Sequence, residues 1–275
     1  MIRWVALMAF SLALGSAAFA QSLVEEELRL NKGEEFDMDL SLGYSVLTDM
    51  AETESQKIYY NSLSFDFDAS YNHWVGHLST SVDYKAVDGE VQADRNDVDF
   101  YFQDVEVGLS KTVWKDSRNS LTPSVSFLAP LSQSSRNLGI KGVFEGAVFY
   151  VSRFYDQRLT LSNQLSGFGI INTYYYSPVD EEVSQNAGYS YSLRASIRIG
   201  KGWSFGLGGG TRLSQYVDNT TTFRFSNSAL LRYSHGDYSI SGFWKNGSYI
   251  DQTNLDLWYV DQYRQIVGVS LNVVL

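Results

Sequence analysis

The chain has no cysteine, which excludes disulfides and thiolate metal sites. Only 3 of its 275 residues are proline and only 3 are histidine. Charged residues are sparse at 19%, and basic ones are the minority: 21 Lys and Arg against 31 Asp and Glu, a formal net charge of −10. A nucleic-acid partner would call for a basic stripe, so that class is set aside. Beyond the first twenty residues no segment approaches the roughly 18 continuous apolar residues of a transmembrane helix. What is abundant is aromatic: 19 Tyr and 16 Phe, residue types that favour strands over helices.

The N-terminus, "MIRWVALMAFSLALGSAAFA", has Arg3, an apolar stretch and then Ala18-Phe19-Ala20 before Gln21. This is the pattern of a secretory signal peptide, so residues 1–20 are expected to be cleaved and the chain exported. Residues 21–34 are charged and irregular and read as a periplasmic lead-in. From residue 35 to 275 the chain reads as one β domain.

Within it, apolar and polar residues alternate with the period of a strand. In "YSYSLRASIRIG", Tyr189, Tyr191, Leu193, Ala195, Ile197 and Ile199 share one face, and Ser190, Ser192, Arg194, Ser196 and Arg198 the other. The same pattern predicts strands at 36–47, 58–71, 74–86, 99–114, 121–130, 139–154, 158–174, 188–200, 202–216, 220–234, 237–246 and 261–275. Twelve is an even number, as in single-chain bacterial barrels. The connections are sorted. Odd ones such as "TDMAETESQK" and "SPVDEEVSQNA" are mostly long and acidic, and even ones such as "YNH" and "GKG" are mostly short. Membrane barrels have short periplasmic turns and longer external loops, whereas a soluble sandwich has no reason to sort them. Aromatics gather toward strand ends, among them Tyr71, Trp74, Trp114, Tyr150, Trp203 and Tyr233, as in an interfacial girdle. An arginine facing lipid near the midplane costs about 2–4 kcal/mol, so the polar faces must turn inward. A one-residue slip would put Arg194 and Arg198 in lipid.

The final stretch, "IVGVSLNVVL", resembles the C-terminal strand of bacterial outer-membrane β-barrel proteins, with Leu275 standing where that family usually has an aromatic residue. The fold expected is a closed antiparallel up-and-down transmembrane β-barrel of about twelve strands. The resemblance implies the Gram-negative outer membrane as its place. It also implies outer-membrane lipid and the barrel-assembly machinery as its partners.

With the polar faces inward, charge segregates along the chain. Early strands contribute Asp37, Asp39, Asp66, Asp68, Asp83, Asp104 and Glu106, with Glu145 further on. Late strands contribute Arg194, Arg198, Arg212, Arg224, Arg232 and Arg264. Two readings follow. Opposed charges can line a wet constriction and orient solutes, or they can meet as ion pairs and plug it. Barrels of eight strands are filled and those of 16–18 hold a channel, so twelve admits both.

Other motifs carry less. His77 and Ser79 share a face, with Asp68 across the turn at 71–74, an arrangement conceivable as a hydrolytic group. "HLS" looks like the His-x-Ser motif of twelve-stranded outer-membrane phospholipases, but the likeness covers three residues and His77 here faces inward. No catalytic residue is assigned. "GLGGGT" (206–211) sits within an alternating strand with no helix after it, so phosphate binding lacks its mechanism. Its glycines are expected to relieve crowding or bend the strand. Acidic loops lack calcium-loop spacing. No cofactor or metal is expected. The reading is a narrow channel for passive transport of small hydrophilic solutes. A closed-lumen structural or adhesion barrel stands as the alternative and a membrane-embedded hydrolase as a third. Oligomeric state stays open.

Overall fold

A computed structural model describes residues 36–49, 57–88, 100–132, 135–136, 138–155, 157–173, 184–249 and 265–275. The side chains of residues 49, 57–60, 84–88, 100–101 and 248–249 fall outside that description. So do the expected signal peptide and lead-in.

The chain is a closed twelve-strand antiparallel barrel. Its strands are β1 (Asp37–Asp49), β2 (Lys57–Tyr71), β3 (Trp74–Asp88) and β4 (Phe100–Phe102 continuing as Val105–Lys111). Then come β5 (Asn119–Ala129), β6 (Ile140–Phe154), β7 (Leu159–Asn172) and β8 (Gln185–Arg198). The circuit ends with β9 (Trp203–Tyr216), β10 (Thr221–His235), β11 (Tyr238–Tyr249) and β12 (Gln265–Val274). Each strand pairs with the next. β1 closes the circuit by pairing with β12, Leu42 opposite Val273 and Val46 opposite Val269. Closure leaves no free strand edge, the requirement for backbone in lipid.

One predicted strand is corrected. The stretch 99–114 is interrupted at Gln103–Asp104 and again at Thr112–Val113. Register with β3 shifts across the first break, from Val82 opposite Phe102 to Ser79 opposite Glu106, as at a β-bulge. After the second break, Trp114–Lys115 pairs onto β5.

The even connections form tight turns. Asn72 and His73, between β2 and β3, both have positive φ (48° and 68°), the geometry of a two-residue hairpin turn whose twist matches the strands. Gly202, between β8 and β9, has φ +80°, and a Cβ there would stand 2.5 Å from the Ser234 carbonyl oxygen. Only glycine fits that turn.

Register sets the strand tilt. A row of cross-strand partners begins at Leu47, near the loop end of β1. It runs through Gly268, Phe243, Leu230, Gly206, Ser196 and Thr160 to Arg153, beside the short turn after β6. The row descends from one rim to the other, so the strands lean steeply against the barrel axis.

The outer face is apolar and exposed: Met38 is 58% accessible, Val125 61% and Leu165 59%, with Phe144, Leu193 and Leu271 also exposed. At the short-turn end it carries Tyr71, Trp74, Trp114, Tyr150, Trp203 and Tyr238. Trp114 stacks parallel to Tyr150, and Lys111 Nζ lies 4.6 Å over the Trp74 ring. A continuous apolar belt with an aromatic rim is the surface of a membrane barrel. Polar groups on this face are capped by tyrosines: Tyr191 donates to Asn163 Oδ1 and Tyr44 to Asn61 Oδ1, each at 2.8 Å.

The inner face is built of small polar residues that bond one another, such as Ser166 with Ser190 (2.7 Å) and Ser241 with Ser270 (2.6 Å). It is not uniformly polar. Leu47, Val75, Val143, Ala147, Phe149 and Ile170 are buried there. β6 in particular presents Val143, Ala147 and Phe149 to the interior in register with inward residues of β7.

Candidate functional site: the barrel interior

In a circuit of twelve, β2 and β3 stand half-way round from β8 and β9. This rule and the register place the inward charges of the described residues.

On the acidic side, Asp37 and Asp39 come from β1, Asp66 and Asp68 from β2, Asp83 from β3 and Glu106 from β4. Their shared face follows from register: Asp39 lies opposite Asp68, Asp66 opposite Ser79, Ser79 opposite Glu106, and Asp83 opposite Ser62. His77 lies opposite Asp68 and its Nδ1 is 2.5 Å from the Asp68 carboxylate. The imidazole is buried, whereas the Asp68 side chain stays partly exposed. Asp83 accepts a hydrogen bond from the Gln103 amide at 2.5 Å, which ties the bulge in β4 to β3.

Asp104 and Glu145 are placed apart from this group. Asp104 falls in the break of β4, where it accepts from the Ser132 backbone N–H at 2.7 Å and from the Ser135 hydroxyl. It holds down the connection between β5 and β6. Glu145 stands on β6 opposite Phe168 of β7. The Phe168 ring covers Gly188 of β8 and carries the Arg212 guanidinium 4.2 Å from its centre. Glu145 therefore stands between the two groups, within electrostatic reach of Glu106 on β4 and of Arg212 on β9.

On the basic side, Arg194 and Arg198 come from β8, Arg212 from β9, and Arg224 and Arg232 from β10. Arg264 lies outside the described residues. Arg194 has Ser162 and Gly208 as its inward cross-strand neighbours. Arg212 lies opposite Arg224. Arg232 donates to Ser239 Oγ at 2.8 Å. The stretch 206–211 lies inside β9, with Gly206, Gly208 and Gly210 on the inner face. A Cβ at Gly208 would meet Ser228 Oγ at 2.7 Å and come within 3.9 Å of Arg194 Nε. The bare backbone leaves room for the arginine to lie along the wall.

Among the described side chains, two further inward cations stand outside the arginines named from the sequence. Lys245 of β11 lies opposite Ser228 and Ile266, with Nζ 5.4 Å from the Phe243 ring centre. Arg153 of β6 lies opposite Thr160 near the short-turn rim. Strict alternation within "YSISGFWKNG" (238–247) was the available signal for Lys245.

Ser79 sits between Asp66 and Glu106 in register, while its strand-mate His77 is bonded to Asp68. The surroundings of the hydroxyl are carboxylates, which oppose the negative charge that a serine nucleophile must develop.

No family model matches the sequence, and no characterised protein matches it by sequence. Solved structures match it in shape. An outer-membrane channel from Pseudomonas putida F1 superposes with a TM-score of 0.59 at 10% identity, covering 86% of this chain and 95% of that one. The NanC porin gives 0.52 at 10% identity, covering 86% and 98%. The KdgM porin in complex with disordered oligogalacturonate gives 0.50 at 12% identity, covering 85% and 98%. At these identities the likeness is one of fold: this chain has the barrel fold of Gram-negative outer-membrane channels.

Proposed function

We propose that the protein is an outer-membrane channel for passive transport of small hydrophilic solutes, in which an arginine-bearing wall faces an acidic wall. Asp37, Asp39, Asp66, Asp68, Asp83 and Glu106 would form one side, and Arg194, Arg198, Arg212, Arg224 and Arg232 the other. The supporting observation is the pairing of like with like, Arg212 directly opposite Arg224 on the inner face. Cross-strand like charges are destabilising. A lumen built only to be plugged would alternate signs and gain ion pairs, whereas a water-filled lumen screens the repulsion.

The proposal includes export by cleavage after Ala20, insertion by the barrel-assembly machinery, and outer-membrane lipid around the apolar belt. It does not include catalysis. A closed structural barrel is the second reading, favoured by the inward Leu47, Val143 and Phe149, which narrow the interior. Planar-bilayer recording decides between them. The channel predicts discrete conductance steps from protein whose compact, heat-modifiable gel band proves it folded. Silence from such protein removes the channel and leaves the closed barrel.

A further inference from the structure

We infer that the lumen favours small zwitterions, solutes that carry an ammonium and a carboxylate on one backbone, such as free amino acids and short unblocked peptides. The inference rests on the channel reading and adds the solute class to it.

It follows from where the two charge groups stand. β2 is opposite β8 in the circuit, and β4 is opposite β10. Asp66 and Arg194 lie at similar distances from the short-turn ends of β2 and β8, so under a common tilt they share a level in the barrel. Glu106 flanks Asp66 through Ser79 on the one side. Lys245 extends the basic side three strands on, in the cross-strand row through Gly208 and Ser228, and so stands nearer the loop rim than Arg194. The field at this level therefore runs across the pore rather than along it.

A transverse field sorts solutes by charge separation, not by net charge. A monovalent anion is drawn to Arg194 and repelled by Asp66 and Glu106, and the two effects largely cancel. A monovalent cation meets the mirror image. A zwitterion lying across the pore gains at both walls, carboxylate toward Arg194 and ammonium toward the carboxylates. A Cβ at Gly208 would come within 3.9 Å of Arg194 Nε, so the bare backbone there lets the Arg194 side chain lie along β9 and keeps the wall thin at that point. Among the described residues the segregation is continuous over β1–β4 and over β8–β10, so the orienting field extends beyond one ring of side chains.

The test is swelling of proteoliposomes holding the full barrel in four isotonic solutes: alanylalanine, N-acetyl-alanylalanine, alanylalanine amide and arabinose. The blocked peptides differ from the first by removing one charge. Alanylalanine is expected to enter roughly fivefold faster than either blocked form, the factor for a modest Coulombic gain in a hydrated pore. Arg194→Gln and Glu106→Gln, each checked for the heat-modifiable band, should bring that ratio close to one. Equal entry of the three peptides, or a preference that survives both substitutions, overturns the inference while arabinose entry keeps the channel. Exclusion of arabinose together with all three peptides overturns the channel itself, and the inference with it.

Discussion

Arg212 of β9 and Arg224 of β10 are direct cross-strand partners on the inner face of the barrel. Two cations in that relation repel, and the cost falls on the folded state. Arg212 is partly compensated by the Phe168 ring, 4.2 Å from its guanidinium.

Replacing the less supported partner should therefore help. Arg224→Gln removes the repulsion and leaves the Phe168 contact intact. The variant is expected to be more stable than the parent by about 0.2–1 kcal/mol in urea unfolding from lipid. Its reversal potential in a salt gradient should shift toward cation preference. A stability loss would show that Arg224 is held by attraction rather than tolerated.

The outer face makes a different demand. Asn163 faces the lipid side, and the Tyr191 hydroxyl bonds its carbonyl at 2.8 Å. Tyr191→Phe keeps the ring and deletes the donor. An amide oxygen left without that partner in an apolar setting should cost about 1–3 kcal/mol. The double variant Tyr191→Phe, Asn163→Leu should recover most of the loss, and the cycle isolates the bond.

The closing seam is tight at Gly268. A Cβ there would stand 2.5 Å from the Phe243 ring, 2.6 Å from Leu47 and 2.7 Å from the Val46 carbonyl oxygen. Gly268→Ala should cost about 1–3 kcal/mol. Adding Phe243→Leu should return only part of it, because the Val46 oxygen belongs to the backbone of β1 and cannot move aside. Full recovery would place the strain in the ring alone.

Asp104 acts on a loop rather than on a wall. Asp104→Ala removes the acceptor for the Ser132 N–H and the Ser135 hydroxyl. Hydrogen exchange at the Ser132 amide should rise by about tenfold or more, the effect of losing a hydrogen bond to a charged group. The barrel's urea midpoint should stay close to that of the parent, since no strand pairing depends on the carboxylate.

Much of this was legible in the chain. The period-two pattern of "YSYSLRASIRIG" is enough to separate Tyr191 from Arg194, and β8 places them on opposite faces. Other features were not. Glu145 read as one more acidic residue of the inner wall, but which arginine it stands near depends on β6 lying close to β8 and β9. Asp104 read as a strand residue because alternation carries no mark for a bulge. The inward Val143 and Phe149 break the expectation of a polar inner face, since two apolar faces on one strand give no period to read.

By itself the sequence determined the strands, their two faces and the up-and-down order, because alternation and short turns are local properties of the backbone. It also gave an expectation of which charges turn inward, since lipid rejects them, but that expectation left out Lys245 and Arg153 and put Asp104 on a strand. Only the tertiary structure decided which of those charges are neighbours and which are opposed. Closure of β1 onto β12, the tilt of the strands and the register between them are long-range quantities. They place Asp66 half-way round from Arg194, and Arg212 beside Arg224, positions that no stretch of chain specifies alone.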